Sequence, residues 1–273
     1  MELKATRYRV EDRIATITLA RPHRMNAWTG RMHTEYRHSL ARANADATVR
    51  AIVVTGEGRA FCVGADAEAL TGHVARGGYD SGTDDSIARP GYGVRPEFDA
   101  TFAYHFGLDK PVIAAINGPA AGVGLVLACY ADLRFAARGV NLSTAHGKLN
   151  LPAEYGLSWL LPRLIGLTRA NELLLSSRKF TTDEALDLGL VNAVLPADEL
   201  LTHTYGYVGN LIRTVSPASL RATRQQIYAD LHRNVAAAVA ASEGLVEDMM
   251  QAPDFAEGVA ALNERRAPRW KKP

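Results

Sequence analysis

Short apolar runs of strand length fill the first half of the chain, and helical spacing takes over in the second. Residues 8–10 and 14–19 alternate apolar and polar side chains around Glu11-Asp12-Arg13, which predicts a β-hairpin. Thr29 then stands as the N-cap of a helix reaching about Ala45, with Met32, Tyr36 and Leu40 along one face. Arg50-Ala51-Ile52-Val53-Val54-Thr55-Gly56 is a β-branched run stopped by glycine and predicts a buried strand. Residues 110–118 repeat that rhythm, and residues 132–136 give a further strand. Helices alternate with these strands, so the expected fold class is α/β.

Between residues 70 and 97 the apolar periodicity gives way to Gly, Asp, Ser and Arg, which predicts a long loop, either a lid or a disordered segment. After Gly156 the pattern is almost wholly helical. Thr181-Thr182-Asp183-Glu184 reads as a capping box, Ser216-Pro217 as a cap and first-turn proline before Leu220, Ile227 and Leu231, and Pro253-Asp254 as the start of the last helix.

Composition narrows the class. With 47% hydrophobic and 22% charged residues over 273 positions, the chain has the balance of a globular protein with a large core, which excludes general disorder. That length favours one α/β unit carrying a smaller appendage. Basic and acidic residues, 31 against 29, are scattered along the chain, so no general field draws nucleic acid or a membrane surface. Cys62 and Cys129 sit among small or apolar neighbours and read as reduced, buried thiols. The first residues form no targeting signal and no stretch is long and apolar enough to span a bilayer, so a cytoplasmic location is expected.

Two glycine segments are the first candidates for chemistry. Ala60-Phe61-Cys62-Val63-Gly64-Ala65-Asp66 follows the strand at 50–56, with Asp66 placed as a helix N-cap. Asn117-Gly118-Pro119-Ala120-Ala121-Gly122-Val123-Gly124 leaves the strand at 110–116 and enters a small, apolar helix. Two such turns at the ends of adjacent strands either simply turn corners or aim two backbone N–H groups into one crevice, a geometry suited to an oxyanion. A dinucleotide site is set aside because Gly122-x-Gly124 lacks the third glycine of that fingerprint.

Arg21-Pro22-His23-Arg24-Met25-Asn26-Ala27, the segment 56–66, and Lys110-Pro111 through Asp132 together resemble the three signature blocks of the crotonase superfamily, that is, the enoyl-CoA hydratase/isomerase family. The resemblance continues through Pro162-Arg163-Leu164-Ile165-Gly166 and Ala185-Leu186-Asp187-Leu188-Gly189-Leu190-Val191. It implies a crotonase-like spiral of ββα units over residues 1–200 and a helical C-terminal region, 201–273, that builds a homotrimer or a dimer of trimers. It also implies an acyl-CoA thioester substrate, with coenzyme A as part of the substrate and neither a further cofactor nor a metal. Ala65 and Val123 match the family's oxyanion-hole donors. His23, Arg24, Met25 and Ala27 match the stretch that runs past the coenzyme A nucleotide.

The acid/base positions depart from the hydratase pattern. Where hydratases of this family place two glutamates, this chain has Val126 and His146. Glu154, in Asn150-Leu151-Pro152-Ala153-Glu154-Tyr155-Gly156, instead matches the single catalytic glutamate of peroxisomal-type Δ3,Δ2-enoyl-CoA isomerases. One carboxylate suffices for double-bond isomerisation, since it can take a proton from one carbon and return it two carbons away. Glu154 can alternatively cap or salt-bridge the helix that follows, and His146 can be structural or a second acid/base. The competing functions are hydration or carbon–carbon hydrolysis using His146 with Glu154, and a non-catalytic acyl-CoA-binding scaffold. Trp28, Phe61, Tyr155 and Trp159 read as core residues.

Overall fold

The computed structural model describes residues 1–76 and 98–270. The hairpin forms as its alternation predicts: β1 (Thr6–Glu11) pairs antiparallel with β2 (Ile14–Leu19), turning through Asp12 and Arg13, both at positive φ. Thr29 caps α1 (Gly30–Ala45) by accepting from the Met32 N–H at 3.2 Å. Within α1, Glu35 is fully buried and accepts the backbone N–H groups of Lys4, Ala5 and Thr6, so one carboxylate fastens the chain's start to this helix.

β2, β3 (Ala51–Gly56), β4 (Val112–Ile116), β6 (Leu133–Ala137) and β9 (Ala193–Leu195) run parallel in one sheet of order β1-β2-β3-β4-β6-β9. Successive side chains serve opposite faces. Ile52, Val54, Val112, Ala114 and Ile116 join the larger core, whereas Ala51, Val53, Ile113, Ala115 and Phe135 join a smaller one closed by Leu200 and Val208 of α7 (Leu200–Thr214). Burial on both faces explains why these strands read as continuous apolar runs.

A second, shorter layer lies beyond the strand ends. It contains β5 (Ala120–Ala121), β7 (Asn141–Ser143) and β8 (Lys179–Thr181), plus single bridges from Trp28 to Ala65 and from Cys62 to Ala120. Each segment leaving the main sheet thus pairs with the segment that leaves the next strand, which generates the spiral. Among the described residues the remaining α-helices are α2 (Ala67–Arg76), α3 (Val123–Cys129), α4 (Leu157–Ile165), α5 (Leu167–Ser176), α6 (Thr182–Asp187), α8 (Pro217–Asp230), α9 (Val235–Met250) and α10 (Pro253–Asn263).

The α/β class is as expected, with three local differences. β8 and β9 interrupt the stretch expected to be helical; at three residues each they are too short for period-two alternation to show. The start of the stretch expected as a loop, 70–97, is helical, because α2 runs to Arg76 on the Asp66 cap, whose Oδ1 accepts the Glu68 N–H; residues 77–97 lie outside the described residues. The capping box at α6 is half formed: Thr181 accepts from the Glu184 N–H, but the Glu184 carboxylate turns to Arg178. Both cysteines are free and buried, and burial pushes their thiols up, Cys62 to about 12 and Cys129 to about 11.

Candidate active site

The two glycine segments meet at the C-terminal ends of β3 and β4, where open α/β sheets place their ligand crevices. The Cys62 N–H donates to the Pro119 carbonyl and the Ala121 N–H to the Cys62 carbonyl, at 3.2 and 3.0 Å, locking one turn to the other. Gly124 is required by this contact, since a Cβ there would lie 2.0 Å from the Cys62 oxygen. Gly64 and Gly122, at φ +104° and +49°, supply backbone that favours glycine. The peptides that follow them present the N–H groups of Ala65 and Val123. Neither makes a hydrogen bond among the described residues, and Val123 opens α3, where the first N–H groups lack intrahelical acceptors.

Ala65, Val123, His146 and Glu154 line a single crevice of about 140 Å3 together with Trp28, Leu70, Leu149, Leu151 and Tyr155. Its wall is mainly apolar, with the Thr29 and Tyr155 hydroxyls beside it, and Glu154 and His146 are its carboxyl and imidazole. His146 begins a short turn, His146–Leu149, between β7 and α4; the Gly147 N–H donates to Ser177 Oγ at 3.0 Å and fixes that turn. Glu154 precedes α4. Its backbone carbonyl accepts the Leu157 N–H at 2.9 Å, while its carboxylate has no hydrogen bond or ion pair among the described residues. Burial raises the Glu154 carboxyl above its ordinary value, and His146 nearby opposes that rise. The capping reading therefore holds for the Glu154 main chain only. Val126 is buried in α3, so the helix after the second glycine turn offers no acid.

Asp66 is occupied structurally. Besides capping α2 it accepts Arg21 Nη1 at 2.9 Å, and Arg21 also holds the Ala27 carbonyl. Burial pushes the Asp66 carboxyl up, but the Arg21 hydrogen bond and the cap outweigh it and leave it below the ordinary range. The same arginine fastens the turn at 22–27 beside the Ala65 peptide, where the Trp28 N–H donates to Gly64. His23, Arg24, Met25 and Ala27 all sit on this turn and none lines the crevice; Arg24 pairs with Glu68, and Met25 Sδ accepts from Arg59.

The reading of the aromatics as core holds for Phe61 and Trp28, with Tyr155 and Trp159 partly buried against it, but Trp28 and Tyr155 also line the crevice. Phe102 backs both, at ring distances of 5.7 and 5.1 Å, and Tyr130 donates to the Tyr155 carbonyl at 2.7 Å. Trp28 directly follows the block at 21–27, and Tyr155 directly follows Glu154. Their neighbours were the available signal; nothing in the residue types separates such a wall from a core. A larger cavity, about 510 Å3, opens at the other end of β3 and β4 beside Arg50 and Lys110 and holds none of the candidate residues. Among the described residues no group of His, Cys, Asp and Glu is arranged to hold a metal ion.

Comparison with known proteins identifies the family of the chain. Residues 9–273 match the profile of the enoyl-CoA hydratase/isomerase family. A Rhodobacter capsulatus protein described as a probable enoyl-CoA hydratase is 34% identical, with 99% of each chain covered. The 1,2-epoxyphenylacetyl-CoA isomerase of Escherichia coli K12 is 30% identical over 96% of each chain. The crystal structure of a probable enoyl-CoA hydratase/isomerase from Mycobacterium abscessus superposes with a TM-score of 0.86 at 29% identity, covering 98% of this chain and 99% of the other.

Proposed function

The chain belongs to the enoyl-CoA hydratase/isomerase family, and from that premise we propose that it isomerises the double bond of an enoyl-CoA thioester with Glu154 as the single proton shuttle. The observation that carries the reading is the shared crevice: an unengaged, half-buried carboxyl faces the same space as the free N–H groups of Ala65 and Val123. Removing a proton beside a thioester carbonyl builds negative charge on its oxygen, and each preorganised donor aimed there is worth roughly 3 to 4 kcal/mol. Glu154 takes the proton from C2 of a 3-enoyl thioester, the electron pair is held as the enolate, and the same carboxyl returns a proton at C4. The double bond then lies between C2 and C3. No group beyond the substrate's own coenzyme A enters this scheme, and the turn carrying His23, Arg24, Met25 and Ala27 is proposed to pass the coenzyme's nucleotide.

A crevice of about 140 Å3 favours a compact acyl group, since an apolar cavity of roughly 150 Å3 holds one benzene. Hydration is the second reading, favoured by relatives that carry the hydratase name. Against it, water needs to be both held and activated, and Val126 and His146 stand where the two carboxylates that would do so are expected. One assay separates the two: 3-enoyl-CoA and 2-enoyl-CoA thioesters, with double-bond migration and hydration followed separately. Migration is expected to dominate and to fall about 10²- to 10⁴-fold in Glu154→Gln. Unchanged turnover in that variant overturns the assignment of the base.

For assembly we propose self-association through the C-terminal helices, as a trimer or dimer of trimers, with residues 201–273 as the associating region. α9 buries none of its residues within the chain although it carries Val235, Val239, Val246 and Met250, and Phe255 and Leu262 of α10 are exposed nearby in sequence.

A further inference from the structure

His146 is an unusual wall for a hydrocarbon chain. Its residue is 7% exposed, and its Nδ1 is sealed from solvent with no hydrogen-bond partner among the described residues. A buried N–H without an acceptor is rarer and costlier than a buried lone pair without a donor. The single proton of the neutral ring therefore belongs on Nε2. That nitrogen also bonds to nothing among the described residues, yet it is not among the sealed atoms, so it is the ring's opening onto the crevice. A histidine acting as a base at Nε2 needs the opposite tautomer, with Nδ1–H held by an acceptor. Here no such acceptor is present among the described residues, so His146 offers a donor to the crevice and not a lone pair.

Resting on the acyl-CoA reading above, we infer that the preferred substrate carries a hydrogen-bond-accepting oxygen on its acyl group, hydroxyl, carbonyl or ether in kind, which takes the Nε2–H of His146. In the open crevice water can satisfy this donor. A plain hydrocarbon chain that displaces the water leaves the N–H unpaired, whereas an oxygenated chain replaces it. Donors placed this way discriminate strongly because the penalty falls on the analogue that lacks the acceptor. Leu70, Leu149, Leu151 and Val123 beside it carry no hydrogen-bonding side chain, and of the wall's polar groups, the Glu154 carboxyl, the Thr29 and Tyr155 hydroxyls and the Trp28 indole, none bonds to His146.

The test measures dissociation constants of inert, saturated thioesters by calorimetry: hexanoyl-CoA against 4-hydroxyhexanoyl-, 5-hydroxyhexanoyl- and 5-oxohexanoyl-CoA. At least one oxygenated member is expected to bind the wild-type protein about tenfold or more tightly than hexanoyl-CoA. His146→Phe, which keeps a ring without a donor, is expected to abolish that preference, and His146→Gln, which keeps an N–H, to retain part of it. Nitrogen-15 NMR of histidine-labelled protein is expected to show the Nε2–H tautomer at His146. Equal affinities across the panel, a preference that survives in His146→Phe, or an Nδ1–H tautomer would each overturn the inference while leaving the acyl-CoA reading intact. Failure of every thioester to bind would sink both. Should His146→Phe slow turnover of plain and oxygenated enoyl-CoA substrates equally, the ring serves Glu154 and the inference also falls.

Discussion

Glu154 shows how an ordinary side chain is made useful by what it lacks. Two other buried or half-buried glutamates are engaged, Glu35 by three backbone N–H groups and Glu184 by Arg178, whereas the Glu154 carboxyl lines a mainly apolar crevice without a partner among the described residues. Burial disfavours its charged form and so raises its pKa, and the His146 ring only partly offsets this. The sign for activity follows directly. A base must be ionised, so activity is full above the raised pKa and is lost as pH falls through it. The acid limb of kcat/KM against pH is therefore expected above the ordinary glutamate pKa. Glu154→Gln is expected to leave a low profile from which that limb is absent; a limb that persists unchanged in the variant would assign it to another group. At this scale the sequence was legible where a residue type is chemically singular, as at Glu154 and His146. It was mute where the role depends on orientation, as for Trp28 and Tyr155, because an aromatic side chain that packs a core and one that lines a crevice have the same chemistry.

Elements were legible when they were long enough to show a period. The hairpin, α1, β3 and β4 follow from alternation, caps and glycine stops, while the three-residue strands β8 and β9 gave no periodic signal. Long-range polar anchoring was equally hidden. Arg224 of α8 is 5% exposed and donates Nε to Asp132 at 2.8 Å, with its other nitrogens on the carbonyls of His105, Phe106 and Leu108. Asp132 in turn accepts the Val112 N–H and the Tyr228 hydroxyl. This one guanidinium joins α8 to the strand that leads into the second glycine turn. Arg224→Ala is expected to lower stability by about 3 to 5 kcal/mol, since it strands a buried carboxylate and several carbonyls. Arg224→Lys is expected to recover little of that, because an ammonium cannot reproduce the fork. Urea unfolding of both variants provides the check, and a loss within experimental error would show that α8 is held by its apolar contacts alone.

At the scale of the whole molecule, one C-terminal helix leaves apolar surface uncovered within the chain. α9 has apolar residues around much of its circumference and buries none of them within the chain, and an exposed apolar surface of this kind marks an interaction face. Val239→Glu, placing a charge on that face, is expected to shift the protein in light scattering from an oligomer to the mass of one chain. A wild-type protein that already runs as one chain would overturn the proposed assembly. No described helix is long and apolar enough to cross a membrane, so this face does not serve as a span.

The sequence by itself determined the class of fold, the places where strands stop and the two glycine turns, because these depend on local backbone preferences and on the period of apolar positions. Through family resemblance it also pointed to the substrate class and to Ala65, Val123, His146 and Glu154. Only the tertiary structure decided that those four share one crevice, that Asp66 is bound to Arg21 and the α2 cap while Glu154 is left unengaged, and that His146 is sealed on one side of its ring. Those facts are set by contacts between segments tens of residues apart, such as Cys62 with Pro119 and Gly147 with Ser177, and no local pattern records which side of a ring a distant segment will cover.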